Sequence, residues 1–284
     1  MFNCIKMDLY RMFRMKSFYV IGIILAAATF FTTSMSVLDY NMMKEEAGQN
    51  SQVYEQETSL DEEPVNLGMD VTIPTRPGEM VTVYDQVYAN LHGKFIALFM
   101  VIFAVLFSAS DLSSGYIKNI GGQMKNRGNL ILSKAVALFI YTVLTMLFYL
   151  CIQTVAQAVC FHELQLGSLR DLAVYSAIQI LLHYVLLLIC MAITIITRSK
   201  VFSMAFAVLF CMNVMVILYS TVDKILARFG IEDFNMLQYT VTGRMALLEM
   251  APSAGGCVKA LTVAVVFGLA VLALSSQIFR KRDI

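Results

Sequence analysis

Six long apolar stretches constrain this chain more than any other feature. They run roughly over residues 17–38, 94–111, 134–160, 172–197, 201–221 and 258–279, and each keeps its charged side chains at its ends. About 20 mostly apolar residues suffice for a helix to cross a hydrocarbon core of about 30 Å. Inside that core every backbone N–H and C=O must find a partner within the chain, so a spanning segment folds as a helix or joins a closed barrel. Barrel strands alternate over segments of about 10 residues, whereas these runs are unbroken. The expectation is therefore an all-α polytopic membrane protein with six transmembrane helices, forming one domain over 1–284. Composition agrees: 58% of the residues are hydrophobic and 14% charged, against about half and about a quarter in a soluble domain. The first stretch has an apolar core of about 20 residues, longer than the usual 7–15 of a cleaved signal, and reads as an uncleaved anchor.

The charges orient the spans. Lys6, Arg11, Arg14 and Lys16 precede the first. Lys118, Lys125, Arg127 and Lys134 lie between the second and third, Arg198 and Lys200 between the fourth and fifth, and Arg280, Lys281 and Arg282 after the sixth. With six spans all four groups fall on one side, and the segment 39–93, with eleven Asp or Glu against Lys44 and Arg76, falls on the other. Basic loops stay inside. Both termini are expected in the cytoplasm, with the chain in a bacterial plasma membrane. A net charge of +1 leaves no basic excess for nucleic acid.

Between the spans, residues 1–16 place Phe2, Ile5, Leu9, Met12 and Phe13 at helical spacing, with Lys6 and Arg14 elsewhere on the wheel. This pattern predicts an amphipathic helix lying on the cytoplasmic membrane surface. The acidic segment 39–93 begins without apolar periodicity. It continues into "MDVTI" and "MVTVY", two β-favouring runs that could pair as a hairpin. Segment 222–257 mixes charges with apolar residues at helical spacing and predicts short helices dipping into the outer leaflet before the last span.

No phosphate-binding loop is present: "GGQMKNRG" lacks the required spacing and the Lys-Ser/Thr end. "FHELQ" lacks the second histidine of a zinc peptidase, and with only His92, His162 and His183 no histidine metal site is expected. No nucleophile elbow appears. The middles of the spans carry no Asp, Glu, Lys or Arg, the costly ionisable residues that ion-coupled carriers usually keep as relays. Their polar residues are Gln153 and Gln157 on the third span, Gln179 and His183 on the fourth, and Asn213 on the fifth. Each pair shares a helix face, and chain direction puts both pairs in the outer half of the membrane. The simpler account is hydrogen bonding between helices; the alternative is a polar patch on a substrate path. The six cysteines show no CxxC spacing, although Cys160 and Cys257 both fall near outer span ends, where a disulfide is conceivable.

The junction "LFSASDLSSGYIKNIGGQMKNRGNLILSK", residues 106–134, breaks an apolar run with polar and basic residues and glycines. Its segment 111–133 fits a short amphipathic helix across the cytoplasmic face. Phe107, Asp111, Gly115, Lys118 and Ile120, followed by Arg127, Leu130 and the Leu132-Ser133-Lys134 run, resemble the junction after the second span in permeases of ATP-binding-cassette exporters of the ABC type-two class. The amphipathic N-terminal segment, the six spans and the dipping segment before the last one resemble that family too.

The resemblance implies a transmembrane permease subunit that pairs with a second copy or a paralogue and sits on two separate ABC ATPase subunits. No cofactor belongs to this chain, and ATP and Mg would be held by the partner ATPase. The surface helix and the junction would grip that ATPase, with Asp111, Gly115, Tyr116, Lys118, Asn119 and Arg127 as coupling residues. The segment 39–93 is longer than the first loop of sugar-exporting members. That shifts the expected cargo toward a peptide, such as a toxin or antimicrobial peptide, or a lipid-like molecule. Acidic residues such as Glu45, Glu46, Asp61, Glu62 and Glu63 would favour a cationic amphipathic cargo. The rival reading is a membrane immunity or sensor protein that binds its target without transporting it.

Overall fold

The computed structural model describes residues 2–49, 69, 71–75, 79–113, 128–231 and 234–281. Among them all regular structure is helical. The helices are α1 (Phe2–Arg14), α2 (Lys16–Gln49), α3 (Val83–His92), α4 (Phe95–Ser113), α5 (Gly128–Cys160), α6 (Leu169–Thr197), α7 (Lys200–Cys211), α8 (Val214–Arg228), α9 (Val241–Leu247) and α10 (Ala254–Lys281), with a 3₁₀ turn at Met236–Tyr239.

Four of these helices, α2, α5, α6 and α10, are long and apolar enough to cross a membrane, and the number rises to six if the bent pairs α3–α4 and α7–α8 each count as one span. The chain is a multi-pass helical membrane protein. α6 is the central helix, with 56% of its most apolar window buried within the bundle, against 28% for α2 and 22% for α10. α10 and α4 pack on α6, α2 and α1 pack on α5, and α7 packs on α4. An aromatic knot ties α2, α4 and α5 together: Phe103 stacks on Tyr141 at 4.0 Å between ring centroids, and the edge of Phe18 meets both rings at 5.9 Å.

The amphipathic N-terminus is a separate helix, divided from α2 by a break at Met15. It buries Cys4, Asp8 and Met12, a stripe at i, i+4 and i+8. Of the expected apolar face, Met12 is buried against the bundle and Phe2 and Phe13 are exposed.

Three other expectations need correction. The β-hairpin does not form: Val71–Ile73 has no regular structure, and the second run enters α3. There Thr82 and Asp85 make a reciprocal capping box, and a satisfied helix start overrides the β-preference of Val81 and Val83. A further helix, α3, precedes the second run and meets α4 at a bend of 53° around Gly93–Lys94. The fifth run is not one straight helix, since α7 and α8 meet at a bend of 76° around Met212–Asn213. Beyond α8 the 3₁₀ turn and α9 supply the short helices expected in 222–257. Cys160 and Cys257 are free thiols.

Candidate functional site

At the end of the bundle that carries α1, four charged side chains meet below the aromatic knot. Asp111, near the end of α4, is 4% exposed and pairs with Lys134 of α5 and with Arg11 of α1. Lys134 is 5% exposed, and its ammonium also lies 4.4 Å from the centre of the Phe107 ring. Arg11 donates to Ser110 Oγ at 3.3 Å and approaches Asp8 at 4.0 Å. Asp8 accepts from Ser133 Oγ at 2.5 Å. Two acids and two bases therefore close a neutral, nearly buried cluster.

The local sequence explains the placement. Asp8 and Arg11 stand three residues apart on one helix, so both reach the same neighbour. Gly128 starts α5 six residues before the apolar run, which puts Lys134 one turn and a half into the helix and level with Asp111. Burial pushes the Asp8 carboxyl above its ordinary range, opposed by Lys134 and by the Ser133 hydrogen bond. A buried ion pair gains little net stability but is costly to break, because the partner left behind is a buried, uncompensated charge. The cluster thus works as a latch. It fixes α1 against both helices that flank the junction 114–127.

Of the expected coupling residues, Asp111 turns inward to this latch rather than outward. Gly115, Tyr116, Lys118, Asn119 and Arg127 lie outside the described residues, as do the acidic Asp61, Glu62 and Glu63. Asp8, Arg11 and Ser133 were not anticipated as site residues; the Asp8–Arg11 spacing on an otherwise apolar stripe was the available signal.

Toward the other end, the two polar pairs have separate partners. Gln153 donates to Thr33 Oγ1 of α2 at 3.0 Å, and Asn90 of α3 donates to Tyr149 at 3.0 Å and to Gln153 Oε1 at 3.4 Å. Gln157 donates to the Val81 carbonyl at 2.6 Å. Gln179 donates to Tyr175 at 3.0 Å and to the Met245 carbonyl at 3.1 Å, and His183 Nδ1 meets the Gln179 carbonyl at 2.7 Å. A carbonyl only accepts, so Nδ1 carries the proton. These bonds hold each pair to a different neighbour rather than to the other pair. Each pins an outer helix or strap to the bundle.

Asn213 has the least expected role. It sits at the α7–α8 break and accepts from Lys94 Nζ at 3.4 Å, while Lys94 itself occupies the α3–α4 break. Lys94 is 2% exposed and has no carboxylate within ion-pair distance among the described residues. In the sequence Lys94 reads as the charged end of an apolar run; in the structure α3 precedes it and it is buried at the break.

Residues 65–284 match the model of a family described as "Protein of unknown function (DUF2705)". No curated protein matches the chain.

Proposed function

The chain belongs to the DUF2705 family, and we propose that it is the transmembrane permease subunit of an ATP-driven ABC exporter. The observation that carries this reading is the latch. Its residues tie the amphipathic helix to both edges of the 114–127 junction, so the two elements proposed to grip an ATPase share one rigid mount. A force delivered to the junction reaches α1, α4 and α5 together. In a connecting loop that served only to reverse the chain, a closed four-charge cluster would have no evident purpose.

In this reading two ATPase subunits bind the cytoplasmic face and supply ATP and Mg. A second permease copy or a paralogue completes the pathway, and the cargo is an amphipathic peptide or lipid-like molecule leaving a bacterial cell. In this reading Gly115, Tyr116, Lys118, Asn119 and Arg127 are the residues that bind the ATPase, and Asp111 anchors the helix that leads into them. Individually exposed pairs from Lys118 or Arg127 to acidic residues of the ATPase contribute modestly. Energy comes from the partner, in keeping with a chain that has no phosphate-binding loop.

A photo-crosslinking amino acid placed at Tyr116 and activated in the native host tests the contact. The expected adduct contains a nucleotide-binding subunit. Adducts only with lipid, or with a toxin-like target and no ATPase, would favour the immunity or sensor reading instead.

A further inference from the structure

On the face opposite the latch, α2, the strap 71–75 and the start of α3 enclose an open pocket of about 420 Å³. Phe31 and Met35 form its apolar wall, and Asp39 and Glu79 stand at its rim. Neither carboxylate has an ion-pair partner among the described residues. Gln86 reaches the pocket from α3. Its side chain is almost wholly buried, yet its amide nitrogen finds no acceptor, and Thr75 Oγ1 is also buried without a partner. Buried polar groups are nearly always hydrogen-bonded, so the Gln86 amide and the Thr75 hydroxyl offer hydrogen bonds to a molecule entering the pocket.

The pocket also leads inward. Val81 lies in its wall and accepts from Gln157. Gln86 is one turn before Asn90 on α3, and Asn90 joins the Thr33–Gln153 network.

We infer that this pocket receives a peptide segment with a cationic group next to apolar side chains. A Lys or Arg side chain, or an amino terminus, answers Asp39 and Glu79. A peptide carbonyl accepts from the Gln86 amide, and the neighbouring apolar side chains cover Phe31 and Met35. An anion is repelled at the rim, and a purely apolar chain leaves both carboxylates and the Gln86 amide unanswered. The inference rests on the proposed peptide-exporting role and assigns its cargo a contact on the exit side.

The test uses the full chain in nanodiscs of zwitterionic lipid, with empty nanodiscs as background. The probe is a short fluorescent Lys/Leu amphipathic peptide, and binding is read by anisotropy. A peptide with Glu in place of every Lys serves as the control. The wild-type chain should bind the cationic peptide and not the acidic one. Asp39→Asn with Glu79→Gln should weaken binding about tenfold, as expected for two exposed ion pairs. Gln86→Leu should weaken it severalfold. The rim carboxylates make no ion pair among the described residues, so the double variant should keep the wild-type melting temperature. Equal binding of the acidic peptide, or undiminished binding by the double variant, would overturn the assignment. Lys118→Glu with Arg127→Glu should leave binding intact. Peptide binding without any captured ATPase would keep the pocket and end the exporter reading; an ATPase captured without peptide binding would do the reverse.

Discussion

Asp111 carries more of the structure than its position at a polar break suggests. Replacing it with Asn strands Lys134 and Arg11 as buried or half-buried cations, so Asp111→Asn should cost about 3–5 kcal/mol and lower the melting temperature in detergent. Asp8→Asn should cost no more than about 1 kcal/mol, since Asp111 still holds both bases and Asn still accepts from Ser133. The pH dependence of Asp8 has a definite sign. Its carboxyl lies above its ordinary range when folded, so the native state takes up this proton before the unfolded chain does. Its contribution to stability therefore increases as pH falls into the range just above the ordinary carboxylate value, and Asp8→Asn should remove that increase from melting curves recorded against pH. Gly243 is equally constrained: a Cβ there would stand 2.0 Å from the Leu237 carbonyl oxygen. Gly243→Ala should cost roughly 1–3 kcal/mol by displacing the 3₁₀ turn from α9. None of these residues is marked by composition. Asp111 and Lys134 were legible through their motif, whereas Asp8 becomes significant only once distant segments meet, and Gly243 only once the local turn at Leu237 folds against it.

At the scale of elements, the apolar runs located all four long helices, because an uninterrupted apolar run leaves a chain in lipid no alternative to a helix, although α2 continues eleven residues past its run, to Gln49. They did not reveal α3. Gln86 and Asn90 interrupt its hydrophobic pattern, yet both are buried, Asn90 through bonds to Tyr149 and Gln153 of α5 that no local rule anticipates. With α3 hidden, the α3–α4 break was hidden too, and Lys94 with it. Two broken helices are joined where Lys94 donates to Asn213. Asn213→Leu leaves a buried ammonium with no acceptor and should destabilise the protein by about 1.5–3 kcal/mol. Lys94→Met removes the charge along with the bond and should cost less. Thermal unfolding of the two variants side by side checks the order; a costlier Lys94→Met would show that the ammonium has a further partner.

For the whole molecule, the positions of Lys and Arg set an expectation about which loops share a side. What they could not convey was that the N-terminal helix and the junction after the second span are fastened to each other. That fastening joins Asp8 and Arg11 to Ser133 and Asp111, about a hundred residues or more away along the chain. It is the feature on which the exporter proposal depends. The most direct test is to tag the chain in its native host, extract it gently and identify what co-purifies. The account predicts a soluble ATP-binding-cassette subunit in equal amount, lost when Lys118→Glu and Arg127→Glu are combined. A chain that emerges alone, with no ATPase captured even after cross-linking, would contradict it.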